Sequence, residues 1–346
     1  MIIVNARFLT QKITGVQRFA IEISKILHKL NDQITFVTPH NISDQNLANE
    51  LGAIVIGTNK GTIWEQIDLR YYLILKHKPL LINFCNTGML FYNKQIVTIH
   101  DMSYKVNPKW FSKRFYMWYS FLIPKIANRS SKILTVSNSS KKDIVKFLKI
   151  RPDKISVIYN SSYLNTNNNF EQVIEEKYLL SVSSLDSRKN LNNLIEAYKK
   201  INIKIKFIIV GLKNDNFVFA SNKDFLDDNI IFKGYVSDNE LTSLMNNAEA
   251  FVYVSFYEGF GLPPLEAMSL GCAVIVSDIP AHREVCGNAA LYADPYSVED
   301  IKNKINDILL NDKLKRKLII EGKKNIKRFD WFVSAEKVLQ NINEIV

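Results

Sequence analysis

The sequence predicts an α/β protein made of two doubly wound, parallel-sheet domains. The chain has 346 residues, which is more than one hydrophobic core usually serves. In both halves, short apolar runs alternate with longer amphipathic stretches, as strands alternate with the helices that connect them in a parallel sheet. Residues 161–169 are polar and carry almost no hydrophobic pattern, so we expect domains at 1–163 and 170–330.

The strands are expected at short apolar runs that end in polar stretches. In the first domain they are predicted at Ile2–Asn5, Ile34–Thr38, Ala53–Ile56, Leu80–Phe84, Ile96–His100, Lys132–Val136 and Ile155–Ile158. In the second domain they are predicted at Tyr178–Val182, Phe207–Val210, Ile230–Phe232, Ala250–Val254, Ala273–Val276 and Ala290–Tyr292.

The helices follow from amphipathic spacing and from capping residues. Those of the first domain include Val16–Leu30 and Ser139–Leu148, the latter with Ser139 as its N-cap. Those of the second domain are predicted at Asn190–Lys200, Asp238–Asn247, Pro264–Leu270, Val298–Leu310 and Asp312–Asn325.

Charge is distributed unevenly between the two halves. Residues 1–165 hold 23 Lys and Arg against 9 Asp and Glu, whereas the remainder holds 22 against 25, for a total net charge of +11. Such a basic half could face nucleic acid, anionic lipid or a phosphate-bearing acceptor. No helix-turn-helix, zinc-finger or aromatic RNA-binding signature is present, so we expect no nucleic-acid partner.

Residues 104–132 combine aromatic with basic side chains. They either lie at a bilayer interface, where each nearby Lys or Arg contributes about 1 kcal/mol beside anionic lipid, or place their rings in the core and only their cations on the surface. No apolar run reaches the roughly 18 residues that cross a bilayer, and the amino terminus is typical of a buried strand rather than a signal peptide. Three scattered cysteines predict neither a disulfide framework nor a zinc site and favour a reducing compartment, so we expect a cytoplasmic protein.

The segment 251–271 carries the most chemical information. An apolar strand runs into a glycine-rich turn, Pro263-Pro264 opens a helix, and Gly271 ends it. The N–H groups at the helix start and the glycine backbone predict an anion-binding cradle. Glu258 and Glu266 flank the cradle, and carboxylates accept hydrogen bonds from sugar hydroxyls. On spacing alone, Glu266 could equally serve only to complement the helix dipole.

A dinucleotide-binding fold is the rival interpretation of this turn. Gly259-x-Gly261 follows a strand and precedes a helix, and Asp278 ends the next strand about 20 residues on, as in the nicotinamide fingerprint. The third glycine position holds Pro264, however, and the motif lies late in the chain rather than in the first βαβ unit. These departures disfavour a dehydrogenase.

The segment from Glu258 to Glu266 resembles the Glu-x₇-Glu signature of the retaining glycosyltransferases of family four, which have the GT-B fold. The resemblance extends over nearly the whole chain through motifs in the family's order: Thr14-Gly15-Val16-Gln17-Arg18, Ile99-His100-Asp101, residues 135–139, residues 183–190, Gly234-Tyr235-Val236 and Phe329-Asp330-Trp331. It implies two domains facing a central cleft, an acceptor-side N-terminal domain and a donor domain at 170–330. It also implies that residues 331–346 form a helix that crosses back to the N-terminal domain.

The resemblance places most of the donor site in the second domain. Glu258 would bind hydroxyls of the donor sugar, and Glu266 would bind the ribose. Arg188 and Lys189 would neutralise the diphosphate as charge develops on the leaving group, although they could also be a solvated helix start. The backbone N–H groups of Phe260, Gly261 and Leu262 would assist Glu258 at the sugar. Gly234, Tyr235 and Val236 would line the base pocket through main-chain contacts, and Ser184 would also contact the donor.

The first domain would contribute fewer residues. Gly15 would let its loop approach the phosphates without a Cβ, although many family members have a second glycine where Thr14 stands here. His100 would lie near the sugar and the acceptor, with Asp101 contacting the donor. The alternative is that His100 is a structural histidine paired with Asp101.

Together these motifs predict a retaining hexosyltransferase that uses a nucleotide sugar as substrate and needs neither a cofactor nor a metal. Arg188, Lys189 and helix N-termini would take the place of a metal ion, and no Asp-x-Asp motif is present. The tract Gly15–Arg18 resembles enzymes of bacterial surface-polysaccharide synthesis. It implies a GDP-mannose-type donor, or next a UDP-sugar, and a glycan or polyprenyl-diphosphate-linked acceptor at the cytoplasmic face of the inner membrane. A catalytically silent partner-binding subunit and a nucleotide-sugar epimerase remain as alternatives.

Overall fold

The computed structural model of the protein describes residues 1–164, 174, 176–183, 186–211 and 227–346. Within these ranges the chain forms two compact units. The first comprises Met1–Lys105, Met117–Asn160 and Asp330–Val346, and the second comprises Val106–Tyr116 and Ser161–Phe329. Each unit is built on a parallel sheet, which confirms the predicted fold class. Ser184 and most of the polar stretch 161–169 lie outside the described residues.

The first unit contains a seven-stranded sheet in which every pairing is parallel. Its strands are β1 (Ile2–Asn5), β2 (Ile34–Thr38), β3 (Ile54–Val55), β4 (Leu80–Asn83), β5 (Gln95–Thr98), β6 (Lys132–Thr135) and β7 (Ile155–Val157). Their spatial order is β3-β2-β1-β4-β5-β6-β7, so the direction of winding reverses between β1 and β4. The central strands are buried on both faces, which is why they appear in the sequence as continuous apolar runs.

The helices of the first unit lie between these strands and at the chain end. They are α1 (Gly15–Leu30), α2 (Gln45–Glu50), α3 (Gly61–Gln66), α4 (Asp68–Leu75), α5 (Ser103–Val106), α6 (Lys113–Arg129), α7 (Asn138–Leu148) and, after the second unit, α14 (Trp331–Asn343). The boundary between Lys105 and Val106 falls within α5, and the boundary between Tyr116 and Met117 falls within α6. The terminal helix packs on α1, with the Phe19 and Trp331 ring centroids 6.1 Å apart, and Ser334 Oγ donates to the Tyr159 carbonyl at 2.7 Å.

The N-cap predicted for α7 is wrong. Ser137, not Ser139, precedes the helix in extended conformation, and its Oγ accepts the Ser140 N–H at 2.9 Å. Both serines suit an N-cap by type. Tertiary packing decides between them, because Ser137 is fully buried and Ser140 Oγ donates to the His100 carbonyl.

The second unit contains a six-stranded parallel sheet in the order β10-β9-β8-β11-β12-β13. Its strands are β8 (Tyr178–Val182), β9 (Lys206–Val210), β10 (Ile230–Gly234), β11 (Ala250–Tyr253), β12 (Val274–Ser277) and β13 (Ala290–Ala293). Its helices are α8 (Leu191–Lys199), α9 (Asp238–Asn247), α10 (Leu262–Ser269), α11 (Pro280–Cys286), α12 (Val298–Leu310) and α13 (Asp312–Asn325). All thirteen predicted strands and all seven predicted helices are present, most with ends shifted by one or two residues.

The aromatic and basic stretch 104–132 divides its side chains between core and solvent. Tyr104, Trp110 and Phe111 are buried, whereas Trp118 and Phe121 on α6 are exposed. Residues 106–116 cluster with the second unit, where the Trp110 ring lies 6.4 Å from that of Tyr257. Within the described residues, no helix combines the length and apolarity needed to cross a membrane.

Candidate active site

Arg188 and Lys189 lie on a short 3₁₀ turn (187–189) at the carboxyl end of β8. Asn190 follows in the left-handed conformation, with φ +60°, and its amide donates to the carbonyls of Val254 and Pro295 at 2.9 and 2.7 Å. The Phe256 N–H also donates to the Arg188 carbonyl at 2.9 Å. These bonds fix the basic turn against the loop that follows β11.

That loop delivers Glu258 to the two cations. Glu258 Oε1 accepts from Lys189 Nζ at 2.7 Å, and Glu258 Oε2 lies 3.3 Å from Arg188 Nη1. Asp186, itself buried, lies 3.8 Å from Arg188 Nε. Glu258 is only 9% exposed, so this cluster is screened from bulk water and its electrostatics are strong. The structure thus brings together three of the four predicted catalytic residues.

The protonation state of Glu258 follows from its burial and from the two neighbouring cations. Burial alone would raise the pKa of the Glu258 carboxyl, but the charges of Lys189 and Arg188, with the Lys189 hydrogen bond, outweigh burial and hold that pKa far below its ordinary value. Glu258 is therefore an anion at every physiological pH. An ionised carboxylate accepts hydrogen bonds and cannot donate a proton, so it suits the binding of hydroxyl groups.

Two members of this cluster were missed by the sequence analysis. Tyr253, at the end of β11, donates its hydroxyl to Glu258 Oε1 at 2.9 Å and also contacts Lys189 Nζ. His282, on α11, is fully buried with its ring centroid 5.7 Å from that of Tyr253. His282 Nδ1 contacts the Ser277 carbonyl at 3.1 Å, so Nδ1 carries the hydrogen. The one sequence signal for Tyr253 is its place at the end of a strand, whereas His282 lies in the helix after β12 and carries no such signal.

The turn between Glu258 and α10 has the predicted form. Gly261 is the N-cap residue with φ +100°, and prolines fill the first turn of the helix. A Cβ at Gly261 would lie 2.9 Å from His282 Cδ2, so no other residue fits beside the buried imidazole. Gly261 also offers no side chain to cap the helix, and because Pro263 and Pro264 carry no N–H, the donors at its start come from the backbone of Gly261 and Leu262.

Glu266 lies in the second turn of α10 and is buried. Phe260 is buried against Phe329, with ring centroids 5.6 Å apart in a T-shaped arrangement. Leu262 is the first residue of α10 and is also buried. The structure therefore places the whole Glu-x₇-Glu segment in one strand–turn–helix element, with Glu258 in its turn and Glu266 in its helix.

The predicted base-pocket residues lie at the carboxyl end of β10. Gly234 ends the strand with φ +68°, and its carbonyl accepts the Gly211 N–H at 2.8 Å. Tyr235 is exposed and Val236 is buried. These residues lie at the carboxyl edge of the second sheet, the edge at which the loops carrying Lys189 and Glu258 also begin.

His100 and Asp101 follow β5 in the first unit. The His100 ring is buried, stands edge-on to Phe19 at 5.1 Å between centroids, and donates from Nε2 to the Phe84 carbonyl at 2.8 Å. Burial lowers the pKa of His100, so the ring is neutral at pH 7. Asp101 Oδ1 accepts two hydrogen bonds from Ser103, at 2.9 and 2.6 Å, rather than one from the His100 ring.

Gly15 begins α1 immediately after Thr14, which forms a capping box with Gln17. A Cβ built at Gly15 meets nothing within 4 Å. Packing among the described residues therefore does not demand glycine at this position, in contrast to Gly261. The open space in front of Gly15 is what the close approach of a ligand would need.

The two parallel-sheet α/β units define a protein of the GT-B fold, the fold of known glycosyltransferases. Among solved structures, Anabaena HepE in complex with UDP and glucose matches 99% of this chain and 100% of its own, at a TM-score of 0.77 and 16% identity. WaaG, a glycosyltransferase involved in lipopolysaccharide biosynthesis, matches 98% of both chains at a TM-score of 0.71 and 14% identity.

The sequence comparisons identify the family. The glycosyltransferase family 4 model matches residues 13–161, and the glycosyl transferases group 1 model matches residues 165–325. The O-antigen chain mannosyltransferase RfbU of Salmonella typhimurium is 34% identical over 69% of this chain and 67% of its own. The O-antigen chain mannosyltransferase B of Escherichia coli is 29% identical over the same shares. The chain belongs to the glycosyltransferases of family four.

Proposed function

We propose that the protein transfers mannose from GDP-mannose to a glycan or lipid-linked oligosaccharide acceptor in the synthesis of a surface polysaccharide, with retention of the anomeric configuration. The names of RfbU and of mannosyltransferase B support the sugar and the pathway class. A UDP-sugar is the second candidate donor, supported by the UDP and glucose bound to Anabaena HepE.

One observation carries the proposal: Glu258 is held between Lys189 and Arg188 in a buried cluster at the amino end of α10. The charges of the two cations are offset by Glu258 and Asp186. A nucleoside diphosphate would supply a further anion to the same cations and to the backbone N–H groups of Gly261 and Leu262, and Glu258 would turn its oxygens to the sugar hydroxyls. Cations already fixed in place stabilise the leaving group without reorganisation, which is the largest single contribution to many enzymatic rates.

The proposal includes transfer without a metal ion. Positive charge at the diphosphate would come from Arg188, Lys189 and the α10 amino end, so the chain itself offers the neutralisation that a divalent cation supplies elsewhere. The test is a thermal-shift screen of the purified protein against GDP, UDP, dTDP, ADP and NAD, each with magnesium and with EDTA. We expect stabilisation by GDP, or next by UDP, that is equal in both conditions.

The alternatives give different results in the same series. Stabilisation by NAD alone would support the hypothesis that the protein is a dehydrogenase. Stabilisation that requires magnesium would overturn the metal-free proposal. A nucleotide sugar that changes configuration without any acceptor would indicate an epimerase. Binding of the nucleotide sugar without turnover on lipid-linked oligosaccharides would indicate a silent subunit, and NMR of the new glycosidic bond decides between retention and inversion.

We further propose that the first unit contacts an anionic membrane through the outer face of α6. Met117, Trp118 and Phe121 are 69, 37 and 46% exposed on this helix. Lys125 Nζ lies 3.6 Å above the Phe121 ring, and the Arg129 guanidinium lies 5.4 Å from the exposed Phe91 ring. From residue 69 to residue 142 the chain has 13 Lys and Arg and a single acid, Asp101. Rings beside a concentration of cations suit the interface of an anionic bilayer.

Vesicle co-sedimentation tests this surface. We expect the protein to bind phosphatidylglycerol vesicles but not phosphatidylcholine vesicles, and salt to weaken the binding. Replacing Trp118 and Phe121 by serine should weaken it roughly tenfold, because partial burial of two rings contributes about 1–2 kcal/mol. Phe332→Ser, an exposed aromatic of α14 in the same unit, is the matched control. Equal losses in both variants would argue against a specific surface.

A further inference from the structure

A second buried polar cluster lies in the first unit, outside the residues assigned to the donor. Its centre is Glu65 on α3, whose side chain is fully buried. Glu65 Oε1 accepts from Asn5 Nδ2 at 2.7 Å and from Thr87 Oγ1 at 2.9 Å. Asn5 in turn donates to Asn83 Oδ1 at 2.9 Å. Asn5 ends β1 and Asn83 ends β4, so the cluster lies at the carboxyl ends of the two central strands.

Arg7 forms the outer side of this cluster. Its Nε lies 3.8 Å from Glu65 Oε1, and its Nη2 donates to Thr87 Oγ1 at 3.0 Å. The Arg7 side chain is 13% exposed, so part of its donor fork reaches the surface while Glu65 and Thr87 hold the remainder. An arginine fixed in this way loses little conformational entropy when it binds a ligand.

Glu65 Oε2 is buried and has no hydrogen-bond partner among the described residues. A buried carboxylate oxygen that is left unpaired loses its hydration without compensation, so such an atom points to a missing donor. Its location supports a ligand as that donor. The winding of the sheet reverses between β1 and β4, and ligands of doubly wound sheets bind at the carboxyl ends of the strands at such a switch point.

The surrounding charges restrict the ligand chemistry. Asp101, Cys85 and Tyr119 lie within electrostatic range of the cluster. Burial raises the pKa of the Cys85 thiol and of the Tyr119 hydroxyl to about 12, so both are neutral. Arg7 pairs with the Glu65 carboxylate, and the Asp101 carboxylate lies within electrostatic range of the neighbouring Tyr119, so the local charge is not positive. This disfavours a phosphate and favours a neutral ligand that both donates and accepts hydrogen bonds.

We propose that the Arg7–Glu65–Thr87 cluster binds a neutral sugar of the acceptor glycan. Arg7 N–H groups donate to hydroxyl oxygens, and Glu65 Oε2 accepts the hydrogen of a hydroxyl. Glu65 also acts as a positioning residue, since its carboxylate holds the Arg7 and Thr87 side chains in place. The assignment of this sugar to the acceptor rests on the proposed transferase function. That a sugar binds at this position is argued from the cluster alone and does not depend on that function.

Saturation-transfer NMR with methyl α-mannoside, methyl α-galactoside and methyl β-N-acetylglucosaminide tests the site directly. We expect at least one glycoside to receive saturation from the wild-type protein. The signal should persist in Glu258→Gln, which removes the carboxylate proposed to bind the donor sugar in the second unit. It should fall at least about fivefold in Arg7→Ala. The matched control is Arg151→Ala, an arginine of the same unit whose side chain is 83% exposed. Thr87→Val conserves volume and carries the test if Arg7→Ala does not fold.

The outcomes separate this inference from the transferase proposal. Undiminished saturation in folded Arg7→Ala and Thr87→Val, or no saturation of any glycoside by the wild type, overturns the sugar site. Displacement of the glycoside by inorganic pyrophosphate in the Glu258→Gln protein overturns the inference that this site selects a neutral ligand. Nucleotide stabilisation is recorded on the same samples. If no nucleotide stabilises a wild-type protein that binds a glycoside through Arg7, the donor proposal fails and the sugar site stands.

Discussion

The two units each bury a glutamate beside an arginine at the carboxyl edge of their sheet, and the two pairs differ in how fully they are satisfied. In the second unit, Glu258 receives a donor on each oxygen, from Lys189 and Tyr253 on one and from Arg188 on the other. In the first unit, Glu65 receives two donors on one oxygen and none on the other among the described residues.

This difference separates two uses of a buried carboxylate. Glu258 is locked by cations and completes a closed electrostatic cluster, which a diphosphate bound as proposed would enter by competition. Glu65 keeps one acceptor atom unused, which is the state expected of a site completed by its ligand. The cost of removing each charge should therefore differ, and this can be measured.

The largest expected effect is that of Glu258→Gln. It leaves Lys189 and Arg188 with one anion fewer in a buried site, and breaking such a cluster costs about 3–5 kcal/mol. Glu65→Gln keeps an oxygen for Asn5 and Thr87 and removes the charge from the unpaired atom, so we expect a cost of only about 1–2 kcal/mol. Urea unfolding followed by circular dichroism measures both. If Glu65→Gln were as costly as Glu258→Gln, the contrast between the two glutamates would be wrong.

The same variants separate stability from activity. Transfer of labelled sugar should fall about 10²–10³-fold in Glu258→Gln, because a fixed group aimed at the reacting sugar is lost. Glu196→Gln is the matched control in the second unit, since Glu196 forms an exposed pair with Lys200 at 2.8 Å. We expect this variant to keep full activity and to change the free energy of unfolding by less than about 0.5 kcal/mol.

The next effect is the pH dependence contributed by the buried histidines. Burial lowers the pKa of His282 to about 4, from 6.5 for an exposed histidine. Between pH 6.5 and 4 the unfolded chain binds a proton that the folded protein excludes. Stability is therefore full above pH 6.5 and falls as the pH falls through this window, by about 3 kcal/mol in total. Burial also lowers the pKa of His100 in the first unit, which contributes with the same sign.

Urea midpoints at pH 7 and pH 5 measure this slope. In His282→Gln the loss of stability on acidification should be smaller than in the wild type, whatever the variant's stability at pH 7. Glu258 contributes little between pH 7 and pH 5, because a carboxyl whose pKa is lowered by folding loses its stabilising effect only as the pH falls through the unfolded value of 4.5 and below. An unchanged slope in His282→Gln would show that His282 is not the group that resists protonation.

Two glycines give a smaller contrast between the units. Gly261→Ala should cost about 1–3 kcal/mol, because its φ of +100° is strained for alanine and the new Cβ would meet the His282 ring at 2.9 Å. Gly15→Ala should change stability by less than about 0.5 kcal/mol, since its Cβ meets open space. If the phosphates approach Gly15 as predicted, Gly15→Ala will still lower kcat/KM for the donor. Unchanged kinetics would remove Gly15 from the donor site.

The strands and the Glu-x₇-Glu element could be predicted because their determinants are contiguous. A parallel strand buried on both faces is one apolar run, and a glycine before two prolines marks the start of α10. Tyr253, His282, Arg7 and Glu65 could not be predicted, because each acquires its role through a partner distant in sequence. The same holds for residues 106–116, whose place in the second unit depends on contacts such as that between Trp110 and Tyr257.

The smallest expected effect concerns two N-cap serines, one in each unit. Ser137 is fully buried and accepts the Ser140 N–H at 2.9 Å, whereas Ser237 is exposed and accepts the Glu240 N–H at 3.2 Å. Water can replace the lost acceptor only at the exposed site. Ser137→Ala should therefore cost about 1–2 kcal/mol and Ser237→Ala about 0.5 kcal/mol in urea unfolding. Equal costs would mean that burial of the cap does not set its contribution, and that the preference for Ser137 over Ser139 needs another cause.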